Sequence, residues 1–203
     1  MACKRLTTRR ATVASLADGL LRRLEPALTA SLSLGIASTL GDWIWQRYLT
    51  DGAIVPALVH GVLFFVIVAA LLGRRTDSPG VHGRLFATLP AAGLLIAAGF
   101  YPVAGFAGYL GALLVSWVAM WLSFALLHRW ARRSSRSTVS ALARGVLAAV
   151  GSGLAFWAVS GMWTLPPAET GYALRLTYWT FAFLPGFVAL LYPTSKQLSA
   201  SRS

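Results

Sequence analysis

The chain has 203 residues, of which 57% are hydrophobic and 12% are charged, and its formal net charge at pH 7 is +12. A soluble domain of this length could not bury so large an apolar fraction, which excludes a soluble enzyme. The positive charge does not indicate nucleic-acid binding, because the cations lie beside apolar runs and leave no soluble basic surface for a duplex. A single cysteine, Cys3, excludes an internal disulfide and a paired-cysteine metal site.

Six apolar runs are each long enough to cross a bilayer. About 20 residues of helix, rising ~1.5 Å per residue, cross ~30 Å of hydrocarbon. We therefore predict an all-α fold: a polytopic integral membrane protein with six transmembrane helices in one bundle over 27–192. The predicted spans, in chain order, are 27–48, 53–72, 85–106, 107–128, 142–163 and 170–192.

The distribution of cations predicts the orientation of these spans. All Lys and Arg residues except Arg47 and Arg175 fall in the two tails or beside the loops that follow the second and fourth spans. Cytoplasmic loops are enriched in Lys and Arg, so both termini are predicted to lie in the cytoplasm. The same cations predict contact with anionic lipid head groups at that face. A bacterial cytoplasmic (inner) membrane is the expected location.

The two tails are short and basic. Residues 1–26 form the N-terminal tail. This tail is compatible with a short helix on the membrane surface, formed by Leu16, Leu20, Leu21 and Leu24 with Arg22 and Arg23. Residues 193–203 form the C-terminal tail. Neither tail is long enough to be a separate soluble domain.

Small residues at intervals of about four predict the faces on which the helices pack. Close approach of backbones along such faces drives helix association in lipid. Smooth faces of this kind can also line a substrate path, and packing is the favoured interpretation. The residues assigned to packing are Gly35, Gly108, Ala112, Gly145 and Gly153.

A set of polar residues is predicted at one level near the outer side of the bundle. Charged groups at membrane depth normally face a partner or a water-filled cavity, so each is a candidate functional residue. Asp42 in the first span and Arg175 in the sixth are the preferred pair, and His60 is the nearest group that titrates near neutral pH. The candidate ligand-binding or ion-pair residues are Asp42, His60, Arg175, Tyr178 and Ser160.

Helical spacing places these residues on particular faces. Asp42 shares a face with Gly35 and Ser38, so it is predicted to point along the packing stripe of the first span. Arg175 shares its face with Tyr178 and Trp179. A purely structural interpretation is equally consistent with this pattern: the pair would join the first span to the sixth, and the aromatic residues would be interfacial anchors.

The sequence contains no motif for a conventional hydrolase, an NTPase, a metal site or a cofactor site. No catalytic residue is assigned, no cofactor is expected, and no family signature is recognised. Pro185-Gly186 predicts a kink in the sixth span, because proline removes a backbone donor.

Three functions compete. The leading hypothesis is a small multi-pass protein that binds or transports a small molecule through an outward-facing polar site, as a homo-oligomer. The alternative is a non-catalytic accessory or assembly subunit of a larger membrane complex, which the eight Trp residues and small loops would suit. The third is a membrane enzyme acting on a lipid or quinone, with Asp42 and His60 as acid and base.

Overall fold

The described part of the chain is entirely helical. The computed structural model describes residues 24–44, 54–74, 78–133, 137–160 and 171–191. Over these ranges it contains five helices and no strand, so the all-α prediction is confirmed for them. The helices are α1 (24–44), α2 (Ile54–Gly73), α3 (Pro79–Ala131), α4 (Thr138–Ser160) and α5 (Tyr172–Leu191).

Helices α3, α4 and α5 are each long and apolar enough to cross a membrane. The outer surface of the described helices is itself apolar: Leu95 is 72% exposed and Leu147 is 63% exposed. On α1, the large side chains of Leu28, Leu32 and Ile36 point outward. A surface of this kind is unfavourable in water and suited to lipid chains. The helices thus have the character of an integral membrane protein.

Helix α3 runs for 53 residues and contains both the third and the fourth predicted spans. Its helical geometry is interrupted at Gly108, where φ is 71° and ψ is 175°. The guanidinium of Arg84, near the start of α3, donates a hydrogen bond to the carbonyl oxygen of Ala131, at the end of α3. The distance between Arg84 Nη2 and that oxygen is 2.6 Å. A straight helix would separate those residues by about 70 Å. The helix therefore bends back at Gly108, and its two arms meet at Arg84.

Arg84 and Arg144 donate hydrogen bonds to the carboxyl ends of α3 and α5, respectively. Besides Nη2, the Nε of Arg84 donates to Ala131 O at 2.9 Å. Arg144 of α4 donates from Nη1 to Leu190 O at 3.0 Å, at the end of α5. The last carbonyls of a helix have no partner within it and carry partial negative charge, so a cation there is favourable. These two arginines therefore have a structural role at the helix ends.

Aromatic rings fill the centre of the molecule. Four nearly parallel rings, from Trp117, Phe156, Trp179 and Phe183, form a closed set with neighbouring centroids 5.1 to 5.8 Å apart. We call this set the aromatic quartet; it joins α3, α4 and α5. Offset stacked rings attract one another beyond the effect of burial alone. Further buried rings continue from it toward α2, namely Trp121, Phe124, Phe187, Phe65 and Phe64.

The residues assigned to packing have different environments. A Cβ added at Gly145 would lie 2.9 Å from Leu122 Cδ2, so α3 and α4 approach closely there. A Cβ at Gly35 would collide with the Thr180 hydroxyl of α5. Ala112 and Gly153 are both buried. These environments are those expected of residues on helix contacts.

Gly108 has a different role from the one expected of it. Nothing lies within 4 Å of the place where its Cβ would be, so it makes no close helix contact. Its positive φ lies in a region that side chains other than glycine rarely adopt. Gly108 is therefore the bending point of α3 and not a packing residue.

Other close approaches involve glycines that the small-residue spacing did not single out. A Cβ at Gly93 would lie 2.6 Å from the Gly61 carbonyl oxygen, which places the first arm of α3 directly against the backbone of α2. At Gly186 of α5 a Cβ would overlap the indole of Trp121. At contacts this close, a larger residue would force its neighbours to move.

Several predicted features lie outside the described residues. They include most of the N-terminal tail, where the surface helix is predicted, and the C-terminal tail at 193–203. The first span, predicted to begin at 27, is already helical at 24.

Candidate functional site

The candidate site lies at one end of the bundle. Asp42 is near the last described residue of α1, Arg175 is in the first turn of α5, and His60 is in the second turn of α2. The close pairing of helices that run in opposite directions brings the end of α1 beside the beginnings of α2 and α5. We call Asp42, Arg175, Trp179 and His60 the polar cluster.

The carboxylate of Asp42 is the centre of the polar cluster. Its Oδ2 accepts a hydrogen bond from Trp179 Nε1 at 2.8 Å. The same oxygen lies 3.8 Å from Arg175 Nη1, within ion-pair distance. The Arg175 side chain is 1% exposed and that of Asp42 is 14% exposed. The structure therefore brings together the two charges that the sequence paired.

This arrangement balances charge where water is scarce. An isolated charge in an apolar interior is costly, and an opposite charge with hydrogen bonds offsets much of that cost. Asp42 contributes one negative charge and Arg175 one positive charge, so the pair is neutral. At 3.8 Å the ion pair is longer than a hydrogen bond, and Trp179 supplies the closer contact with Asp42.

His60 lies beside this pair without bonding to it. Its imidazole rests on the backbone of Gly41, the residue before Asp42, where a Cβ would collide with the ring. Its ring centroid is 6.2 Å from that of Phe64. Among the described residues it makes no hydrogen bond, and its side chain is exposed. The imidazole thus stands at the edge of the cluster, open to the surroundings.

Ser160 and Tyr178 do not join the ion pair. The Ser160 hydroxyl donates to the Phe156 carbonyl oxygen of its own helix at 2.7 Å. Within the described ranges, Tyr178 makes no hydrogen bond to Asp42 or to Arg175, and its side chain is half-buried. The sequence placed both at a suitable depth, but depth does not determine the direction in which a side chain points.

Trp179 is the member of the polar cluster that the candidate set omitted. It is four residues after Arg175, so both lie on one face of α5. Its ring belongs to the aromatic quartet, and its Nε1 reaches Asp42. Through this hydrogen bond and this ring stacking, Trp179 joins the polar cluster to the aromatic core. The shared face was visible in the sequence, but the donor to Asp42 was not.

No metal site is formed by the part of the chain that the structure describes. No group of three or more His, Cys, Asp or Glu residues there could hold an ion. Comparisons with protein-family models, with curated proteins and with solved structures give no match. The functional argument therefore depends on the polar cluster and the helices around it.

Proposed function

We propose that this chain is a six-crossing protein of a bacterial inner membrane that binds a small polar molecule at the polar cluster and passes it across the bilayer. The observation that carries the proposal is the burial of Arg175 beside Asp42, since none of the other buried residues in the described part of the chain is charged. Charged residues at membrane depth are rare, and they commonly mark substrate or ion pathways.

The bend of α3 supports six crossings. Arg84 and Ala131 are 47 residues apart and are hydrogen-bonded, and Gly108 lies midway between them. Each arm is then about 35 Å of helix, enough to cross ~30 Å of hydrocarbon. Helices α1, α2, α4 and α5 each have about 20 residues or more. Two arms and four helices make six crossings.

The positions of the arginines support cytoplasmic termini. Arg84 and Arg144 cap helix ends at the face opposite the polar cluster. Further cations follow α3 in the same region, among them Arg132 and Arg133, and both are exposed. Positive residues accumulate on the cytoplasmic side, where anionic head groups also attract them. The polar cluster then faces outward.

The chemistry of the cluster limits what it can bind. Asp42 offers acceptor oxygens, and Arg175 with Trp179 offers N–H donors. A small molecule that carries both a donor and an acceptor could replace part of each contact, whereas a simple ion would upset the neutral pair. We therefore propose a small zwitterionic or neutral polar solute as the ligand class.

Thermal unfolding of the detergent-purified protein tests the proposal. Glycine, urea, acetate and methylammonium serve as zwitterionic, neutral, anionic and cationic probes, each at about 10 mM, where the denaturing effect of urea on the free energy of unfolding is negligible. A ligand that binds the folded state raises its unfolding temperature. We expect glycine or urea to raise the Tm of the parent and of the control Trp157→Phe, whose parent side chain is 53% exposed. The same probe should leave the Tm of Asp42→Asn unchanged.

Two results would overturn the proposal. If no probe changes the Tm of the parent, Asp42 and Arg175 form only a structural connection between α1 and α5. If, in addition to showing no change in Tm, the protein purifies with fixed membrane partners, we would assign it the accessory-subunit function instead of transport. An equal shift in the parent and in Asp42→Asn would place the ligand elsewhere.

A further inference from the structure

The end of the bundle that holds the polar cluster contains one histidine. Asp42 and Arg175 form an ion pair there, and phenols carry no charge near neutral pH. Imidazole is the side chain whose charge normally changes between pH 5 and pH 8. The titratable and charged residues that the described helices place at this end are Asp42 of α1, His60 of α2, Tyr101 and Tyr109 of α3, and Tyr172, Arg175 and Tyr178 of α5.

The imidazole of His60 lies where an added charge would act on the ion pair. Its Cε1 and Nδ1 face the backbone of Gly41, where a Cβ would collide with the ring. Gly41 directly precedes Asp42, and the Cα atoms of consecutive residues are about 3.8 Å apart. The ring therefore lies next to the residue whose carboxylate pairs with Arg175. Protonation of His60 would change the net charge of the polar cluster from zero to one positive charge.

His60 is also placed to exchange a proton with the water at that side of the membrane. It lies about 9 Å along the helix axis from Ile54, the first residue of α2. The head-group layer on one side of a bilayer is of similar thickness, roughly 5–8 Å. The side chain of His60 is exposed, and it makes no hydrogen bond to any residue that the structure describes. A protonated imidazole has two N–H donors, so His60 can offer both to a ligand.

A second positive charge at this end can come, among the described residues, only from His60. The charge of Arg175 is already balanced by Asp42. An anion that entered the neutral cluster would add an unbalanced negative charge where water is scarce, which is costly. The other arginines of the described helices and their caps belong to the opposite end of the bundle: Arg74, Arg84, Arg129, Arg132, Arg133 and Arg144.

We propose that His60 admits a solute with a single carboxylate to the polar cluster by binding one proton, so that the monoanion and the proton enter together. The proton passes from water to a ring nitrogen of His60 and leaves with the solute. The proposal rests on the proposed function in that the polar cluster is the binding site, and it adds monocarboxylates to the neutral and zwitterionic solutes. Because the anion requires the proton, its affinity should fall as the pH rises through the titration of His60. The fall is at most about tenfold for each pH unit.

Thermal unfolding of the detergent-purified protein with acetate and with acetamide tests this assignment. The two probes have similar size, and only acetate is charged. Each is titrated at constant ionic strength at about pH 5.5 and about pH 8.5, on either side of the usual titration of imidazole, and acetate is ionised at both. His60→Gln removes the titratable group, whereas His60→Arg keeps a positive charge at both pH values. Trp157→Phe is the control, because the parent side chain is 53% exposed.

We expect acetate to raise the Tm of the parent and of Trp157→Phe at the lower pH. The acetate concentration that gives the same shift should be at least about tenfold higher at the upper pH, because the bound anion requires a proton. The effect of acetamide should be the same at both pH values. His60→Gln should lose the acetate shift at both, and His60→Arg should show it at both, since arginine stays protonated.

Four results would overturn the assignment. They are no acetate shift in the parent at the lower pH, equal acetate concentrations at the two pH values, a pH dependence that persists in His60→Gln, which would make Asp42 the titrating group, and a pH dependence that persists in His60→Arg. If His60→Gln does not fold, His60→Arg still decides the question. A shift of the parent with glycine or urea but not with acetate would remove the role of His60 and leave the proposed function standing. No shift with any probe would remove both.

Discussion

The indole of Trp179 donates a hydrogen bond to the carboxylate of Asp42 across 137 positions of sequence. The same indole stacks on Phe156 with a centroid separation of 5.1 Å. One side chain therefore fixes a charged group of the first helix to the aromatic centre of the protein. The ion pair with Arg175 is longer, and both contacts meet at one carboxylate oxygen.

Trp179→Phe separates the hydrogen bond from the stacking. Phenylalanine keeps an aromatic ring in the quartet but removes the donor to Asp42. We expect a loss of about 1–3 kcal/mol in the free energy of unfolding, because the buried carboxylate loses its closest partner. Thermal unfolding in detergent measures this loss. Trp157→Phe is the control, and we expect it to behave as the parent; equal stability of the two variants would show that the Asp42 contact is dispensable.

Gly93→Ala tests the close approach of α2 and the first arm of α3. The new Cβ would lie 2.6 Å from the Gly61 carbonyl oxygen, and backbone cannot move aside as a flexible side chain can. Overpacking of this kind costs about 1–3 kcal/mol. Gly99→Ala is the matched control on the same arm, where nothing lies within 4 Å. A Tm for Gly93→Ala equal to that of Gly99→Ala would contradict the contact.

Gly108→Ala tests the bend of α3. Gly108 has a φ of 71°, and holding alanine in that region costs about 1–3 kcal/mol. We expect a lower unfolding temperature for Gly108→Ala than for Gly105→Ala, since nothing lies within 4 Å of either added Cβ and only the backbone angle at 108 is unusual. If the Tm values of both variants equal that of the parent, the bend between the two arms of α3 does not require glycine at position 108.

Labelling with an impermeant thiol reagent in intact cells tests the proposed orientation. In a Cys3→Ser background, Gly105→Cys near the bend of α3 should react from outside, and Ser137→Cys before α4 should react only after the cells are opened. Ser137 is expected on the inside because cations are concentrated beside it, and such residues accumulate on the cytoplasmic side of a membrane. Reaction of Ser137→Cys in intact cells would reverse the orientation.

Much of the fold could be predicted because its signals are local. Long apolar runs predict helices, and the structure has helices over the described parts of all six runs. The faces of α1 and α5 that carry Asp42 and Arg175 follow from helical periodicity, and their shared depth and opposite charge made them the preferred pair. Glycine at 35 and 145 likewise indicated close contacts before any neighbour was known.

The remaining features depend on which helices become neighbours, which no local pattern states. Gly108 resembled a packing residue, yet its backbone angle makes it the bend. Ser160 had the right depth, but its hydroxyl bonds to its own helix. The choice of Trp179 as the donor to Asp42 required α1 and α5 to pack at one particular rotation. Hydropathy and periodicity determine that helices form and which of their faces are polar. Only packing in three dimensions decides which polar atoms meet. Many rotations of a helix about its axis bury a similar apolar area, but few of them satisfy a buried charge.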